Sequence, residues 1–111
     1  NVVLVVGYLG DVIRDYFGDG QKFGIRISYF TEETPLGTAG ALAEIEDLEE
    51  NFILLFGDLF INVDFKRFLN FHREHEALIT LFAHPNSHPY DSDIVIADQD
   101  GRVAGWSYKN T

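Results

Sequence analysis

The apolar residues of this chain come in short continuous runs, and this pattern restricts the fold more than any other feature. Val, Ile, Leu and Phe form runs such as Val2–Val6 and Phe52–Phe56, which Gly, Asp and Asn residues separate. Strands that are buried on both faces have continuous apolar sequences, whereas half-solvated strands alternate. The chain has 111 residues, of which 46% are hydrophobic, enough for one apolar core. We therefore expect an α/β protein.

The order of the segments predicts a mostly parallel sheet. The strand Val2–Val6 precedes helical spacing of apolar residues over 10–17 and a second strand over 25–30, and a strand-helix-strand order implies parallel pairing. Further expected elements are a helix from Gly37 to about Asp47, strands at 52–56 and 77–82, a helix capped by Asp64, and a hairpin of 94–96 with 102–106 around the turn 98–101.

Charge and composition exclude several classes of protein. The formal net charge is −10 with only 8 Lys and Arg residues, so the basic face of a protein that binds polymeric nucleic acid is not expected. No apolar stretch reaches the roughly 20 residues that span a bilayer. There is no Cys for a disulfide or a thiolate site. We expect a soluble, cytoplasmic protein without membrane partners. A sheet edge without a neighbouring strand would also allow the protein to form a homo-oligomer.

The segment 33–42, Glu-Thr-Pro-Leu-Gly-Thr-Ala-Gly-Ala-Leu, is the strongest local signal of a binding site. Glycines and small residues at the start of a helix let a flat ligand lie against the backbone, and Thr38 is a plausible N-cap. Close packing of this helix on the sheet would explain the same residues without a ligand. Gly57-Asp58 supports the binding hypothesis, because it follows an apolar strand at the sheet edge where ligands of open α/β folds bind.

These motifs together resemble the sugar-1-phosphate nucleotidyltransferase family. The resemblance comprises Val6-Gly7-Tyr8, the turn with Asp19-Gly20, the Gly-rich segment 33–41 and Gly57-Asp58, in the family's order over about two-thirds of the chain. It implies a three-layer α/β sandwich with a Rossmann-like sheet. We expect residues 1–111 to be the central part of one such domain, truncated at both ends, and inactive without the family's N-terminal phosphate-binding signature.

The resemblance also implies roles for individual residues. Asp58 would be the catalytic residue that holds Mg²⁺, and Glu33 would orient the loop or contact substrate. The nucleotide would bind Leu36, Gly37, Thr38, Gly40 and Gly57. The substrates would be a nucleoside triphosphate and a sugar 1-phosphate, and the products a nucleotide sugar and pyrophosphate.

The segment 84–93 is similar to guanylyltransferases that act on manno-configured sugars, including heptose 1-phosphate enzymes of cell-surface glycan synthesis. GTP is therefore the preferred nucleotide, and His88, Asp91 and Asp93 would face the sugar or a neighbouring subunit. A plain polar surface loop would have the same composition.

Several alternatives remain open. Thymidylyl or uridylyl transfer would use the same pocket, and a non-catalytic relative would keep the pocket without the chemistry. The segment Val6-Gly7-Tyr8-Leu9-Gly10 also resembles part of a dinucleotide-binding fingerprint, with Glu32 at about the right distance to be its acidic residue. The fingerprint requires three glycines, however, and Tyr8 and Leu9 stand where backbone should approach a pyrophosphate. His72 and His75, one helical turn apart, are expected to be ordinary helix residues because no third zinc ligand is spaced with them.

Overall fold

The computed structural model describes residues 1–37, 39–85 and 92–108, and the chain divides into two units, Asn1–Phe56 and Gly57–Thr111. The first unit contains strand β1 (Val2–Val6), helix α1 (Gly10–Phe17), strand β2 (Ile27–Thr31) and two short 3₁₀ segments, Gln21–Phe23 and Gly40–Ala43. The second contains helix α2 (Phe65–Glu74) and strands β3 (Ile94–Ala97) and β4 (Val103–Ser107).

Strands β1 and β2 pair in parallel, as the strand-helix-strand order predicts. The register runs from Val2 opposite Ile27 to Val6 opposite Thr31. The strand β2 begins two residues later and ends one residue later than the interval 25–30 expected from the sequence. The pairing confirms the predicted β-α-β unit and directs both strands toward one sheet edge.

Helix α1 begins directly after β1 because two residues make a tight turn possible. Leu9 adopts a left-handed backbone conformation with φ 63°, and Gly10 is buried. A Cβ atom on Gly10 would lie 3.1 Å from Cγ2 of Val6, so the helix start fits closely against the end of β1.

Side-chain hydrogen bonds attach α1 to β2. The Arg14 guanidinium donates to Oγ1 of Thr31 at 2.6 Å, and the Tyr29 hydroxyl donates to the carbonyl of Gly18 at 2.6 Å. The guanidinium also lies over the Tyr29 ring, 5.1 Å from its centroid. The C-terminal part of the helix is thus connected to the strand that leads into the Gly-rich segment.

In the second unit, the predicted helix cap and hairpin are both confirmed. Oδ1 of Asp64 accepts the backbone N–H of Arg67 at 3.1 Å, which satisfies a donor in the first turn of α2. Strands β3 and β4 pair antiparallel. Oδ1 of Asp98 accepts the N–H groups of Asp100 and Arg102, both at 2.9 Å, and so stabilises the turn between the strands.

Three predicted elements differ from the structure. The intervals 52–56 and 77–82 are not strands, because a strand requires a neighbouring backbone and neither interval has a ladder partner among the described residues. The helix expected from Gly37 to Asp47 is only the 3₁₀ segment Gly40–Ala43. The three-layer arrangement stays a prediction, since the described sheets are one parallel and one antiparallel pair.

Little apolar surface is buried in the described residues. Val6 and Ala41, each 5% exposed, are the buried apolar side chains, and all five residues of Phe52–Phe56 are exposed. Neither α1 nor α2 has the length and apolar character that a bilayer-spanning helix requires, in the part of the chain that the structure describes.

Gly20 lies between α1 and β2, and its substitution tests how closely this turn is packed. Its φ is +84°, and an added Cβ would lie 2.7 Å from the carbonyl oxygen of Ile25 and 2.7 Å from Cγ1 of Ile27. We expect Gly20→Ala to lower the free energy of unfolding of the intact protein, measured by denaturant titration. Gly24→Ala is the matched control, because Gly24 has φ +73° but nothing within 4 Å of the added atom. The Gly20 variant should cost about 1–3 kcal/mol more than the control, and equal costs would contradict the described packing.

Candidate nucleotide-binding loop

The Gly-rich segment leaves the carboxyl end of β2 and is anchored there by Glu32. The Glu32 N–H donates to the carbonyl of Val6 at 2.8 Å, which continues the β1–β2 ladder one residue beyond Thr31. Oε2 of the same residue accepts the N–H of Leu36 at 3.2 Å, in a half-buried position. One residue therefore connects the sheet edge to the loop by its main chain and its side chain.

Gly40 also lies close to Leu36. A Cβ atom on Gly40 would lie 2.7 Å from Cβ of Leu36, a separation that real Cβ atoms do not show. Only glycine at this position lets the 3₁₀ segment approach Leu36 so closely. Gly37 follows with φ +81°, a left-handed conformation that turns the backbone after Leu36. The result is a bent backbone with small residues, suited to a flat ligand.

The structure thus places Leu36, Gly37 and Gly40 in one loop, as the motif predicts. Glu33, next to the anchoring residue, is exposed. Thr38 lies outside the described residues. Sequence analysis named Glu32 only as the acidic residue of a possible dinucleotide-binding fingerprint and gave it no role in this loop. The alternation of side chains along β2 puts it on the same side as Phe30, which is half-buried. The roles of Glu33, Leu36, Gly37, Thr38 and Gly40 in binding stay predictions.

Gly57 and Asp58 form a turn in the second unit, and both residues are exposed. No group of three or more His, Cys, Asp or Glu residues capable of holding a metal occurs within 1–37, 39–85 and 92–108. A single accessible carboxylate suits Mg²⁺, which takes oxygen ligands and usually binds through one or two carboxylates, waters and substrate phosphates. Asp58 fits that requirement, and the described donor set does not form a closed protein site.

Asp93, His72 and His75 are the other residues from the sequence analysis that the structure describes. Asp93 is exposed just before β3, whereas His88 and Asp91 lie outside the described residues. Nδ1 of His72 is hydrogen bonded to Oγ1 of Thr80 at 2.7 Å. His75 stacks on Phe71 with ring centroids 3.9 Å apart. Contacts within the protein account for both rings.

Comparison with known proteins identifies relatives along nearly the whole chain. The family model described as nucleotidyl transferase matches residues 1–109. A mannose-1-phosphate guanylyltransferase of Mycobacterium tuberculosis is 34% identical over 111 residues, which cover 98% of this chain and 31% of that protein. A D-glycero-alpha-D-manno-heptose 1-phosphate guanylyltransferase of Aneurinibacillus thermoaerophilus is 32% identical over 110 residues, 97% of this chain and 47% of the relative.

A third relative has a different nucleotide in its name. A UTP–glucose-1-phosphate uridylyltransferase of Synechocystis is 28% identical over 123 residues, which cover 97% of this chain and 32% of that protein. The chain thus spans between 31% and 47% of the length of these three relatives. No solved structure matches the chain significantly. The matches favour the nucleotidyltransferase interpretation over the dinucleotide-binding one.

Gly40→Ala tests whether the close approach of Leu36 shapes this loop. The added methyl group must displace Leu36, so we expect the affinity of the intact protein for GTP, measured by isothermal titration calorimetry, to fall about 10-fold or more. Gly7→Ala is the control, because its added Cβ meets only the Glu32 carbonyl oxygen, at 4.0 Å. Unchanged affinity in a folded Gly40→Ala protein would show that the loop is not the nucleotide site.

Proposed function

This chain belongs to the nucleotidyl transferase family, and we propose that it forms part of a sugar-1-phosphate guanylyltransferase. The observation that carries the proposal is the geometry at Leu36, Gly37 and Gly40: Glu32 accepts the Leu36 N–H, Gly37 has a positive φ, and Gly40 approaches Leu36 too closely for a Cβ atom. Relatives named as guanylyltransferases match almost the whole chain, which supports guanine as the base.

In this proposal the loop recognises the nucleobase through main-chain groups. A base edge presents donors and acceptors in a plane, and backbone N–H and C=O groups held in one geometry can match them without the entropy cost of ordering long side chains. Gly37 and Gly40 keep that surface free of Cβ atoms. The methylene and methyl groups of Leu36 would pack against the ring.

The proposed reaction transfers a nucleotidyl group without a covalent enzyme intermediate. An oxygen of the sugar phosphate attacks the α-phosphorus of the triphosphate, the bond from that phosphorus to the bridging oxygen breaks, and pyrophosphate leaves. Catalysis in such displacements comes mainly from positioning and charge stabilisation. Asp58 would hold the divalent cation that the family uses, which we propose to be Mg²⁺, and this cation would neutralise phosphate charge.

The proposed acceptor is a manno-configured sugar 1-phosphate, mannose or heptose, for cell-surface glycan precursors. Two relatives carry these sugars in their names. We assign His88, Asp91 and Asp93 to the sugar side and Glu33 to a supporting contact with substrate. Nucleoside triphosphates and sugar phosphates are cytoplasmic metabolites, so the proposed place of action is the cytoplasm.

Uridylyl transfer is the second candidate. It is favoured by one observation, the match to the uridylyltransferase relative over 97% of this chain. The loop geometry described above suits either base, because main-chain groups offer both donors and acceptors. The choice of triphosphate by the intact protein distinguishes the two candidates.

The activity can be measured as Mg²⁺-dependent pyrophosphate release by the intact protein with mannose 1-phosphate or heptose 1-phosphate. Each of the four common ribonucleoside triphosphates and dTTP is tested separately. We expect release with GTP, and we expect Asp58→Ala and Asp58→Asn to lower kcat by on the order of 100-fold or more, because either change removes the charged metal ligand.

Asp47→Ala is the matched control, since Asp47 is also an exposed aspartate in a turn. It should leave the rate within about 2-fold of the wild type. Release with UTP in place of GTP would favour the second candidate. Binding of a triphosphate without release under any pairing would support a non-catalytic relative instead.

A further inference from the structure

We infer that Glu32 is the positioning residue of the base-recognition loop: its carboxylate holds the Leu36 N–H and thereby sets the backbone that contacts the nucleobase. The inference rests on the proposed function, since it assigns the residue that preorganises the same loop. Glu32 does not contact the reacting phosphates in this account and acts only through Leu36.

The main chain of Glu32 is fixed at the edge of the sheet. Its N–H donates to the carbonyl of Val6 at 2.8 Å, and Val6 is only 5% exposed. The preceding residue, Thr31, is paired with Val6 and accepts a hydrogen bond from Arg14 at 2.6 Å. The main chain of Glu32 is therefore bonded to the most buried residue of β1.

The side chain of Glu32 bonds to the main chain of the loop. Oε2 of Glu32 accepts the Leu36 N–H at 3.2 Å from a half-buried position. Hydrogen bonds to an ionised acceptor are roughly twice as strong as neutral ones, and partial burial reduces competition from water. Pro35 has no N–H, so Leu36 provides the first main-chain donor after the proline.

The residues after Glu32 depend on this bond. Leu36 donates its N–H to Glu32 and lies close to Gly40, and Gly37 then turns with φ +81°. Loss of the carboxylate would release the N–H of Leu36 and free this turn. A loop that must be ordered by the ligand binds it more weakly than one that is ordered beforehand.

Glu50 makes a matched comparison with Glu32. Both residues are glutamates of the first unit, but Glu50 is exposed and makes no hydrogen bond among the described residues. Replacing either residue by Ala removes one negative charge. A difference between their variants therefore reports the bond to Leu36.

The experiment uses the intact protein with Glu32→Ala, Glu32→Gln and Glu50→Ala. We expect Glu32→Ala to raise the KM for GTP about 10-fold, and to leave kcat and the KM for the sugar phosphate within about 2-fold. Glu32→Gln keeps an acceptor oxygen and should restore part of the affinity. Glu50→Ala should leave kcat and both KM values within about 2-fold of the wild type. A purely structural role would instead lower kcat and the thermal midpoint without this selective change in the KM for GTP.

A second measurement follows the Leu36 amide itself by hydrogen exchange without nucleotide. Glu32→Ala should accelerate exchange at this amide, and Glu50→Ala should not. An unchanged exchange rate, or an equal rise in the KM for GTP in both Ala variants, would overturn the inference. If the wild type neither binds nor turns over any triphosphate, the proposed function fails, and with it the role in base recognition, whereas amide exchange still decides whether Glu32 anchors the loop.

Discussion

The parallel pairing of β1 and β2 is the constraint on which the first unit depends. Parallel strands end at the same sheet edge, so the turn after Val6 and the loop after Thr31 leave the sheet side by side. The bond from the Glu32 N–H to the Val6 carbonyl extends the ladder into the loop. The Gly-rich segment therefore starts from a fixed point, which a binding surface made of backbone requires.

The sequence predicts the elements whose partners are close along the chain. Val2–Val6 meets its partner strand across one helix, and β3 meets β4 across the turn at Asp98. The interval 52–56 is as apolar as β1, but composition predicts burial and cannot supply the neighbouring backbone that defines a strand. The helix expected after Gly37 is one 3₁₀ segment, Gly40–Ala43, although Ala and Leu favour helices. Helix propensity is too weak to form a short α-helix without packing against other elements.

The geometry of the candidate site was predictable where residue type alone decides the backbone conformation. Leu36, Gly37 and Gly40 stand out because glycine permits a positive φ and a close approach, and the structure shows one of each. Glu32 and Glu33 are the same type of residue, but Glu32 is half-buried and accepts the Leu36 N–H, whereas Glu33 is exposed. A sequence motif does not encode this difference. Asp58 is a prediction of the family resemblance, and its turn in the second unit leaves the carboxylate exposed.

The central claim is that a nucleobase lies on the backbone of Leu36–Gly40. A crystal structure of the intact protein with GDP-mannose tests it most directly. The account predicts guanine packed on Leu36, with its edge hydrogen bonded to main-chain groups of the loop and the Glu32 carboxylate still holding the Leu36 N–H. Density for the base elsewhere, such as at the turn Val6–Gly10, would contradict the account.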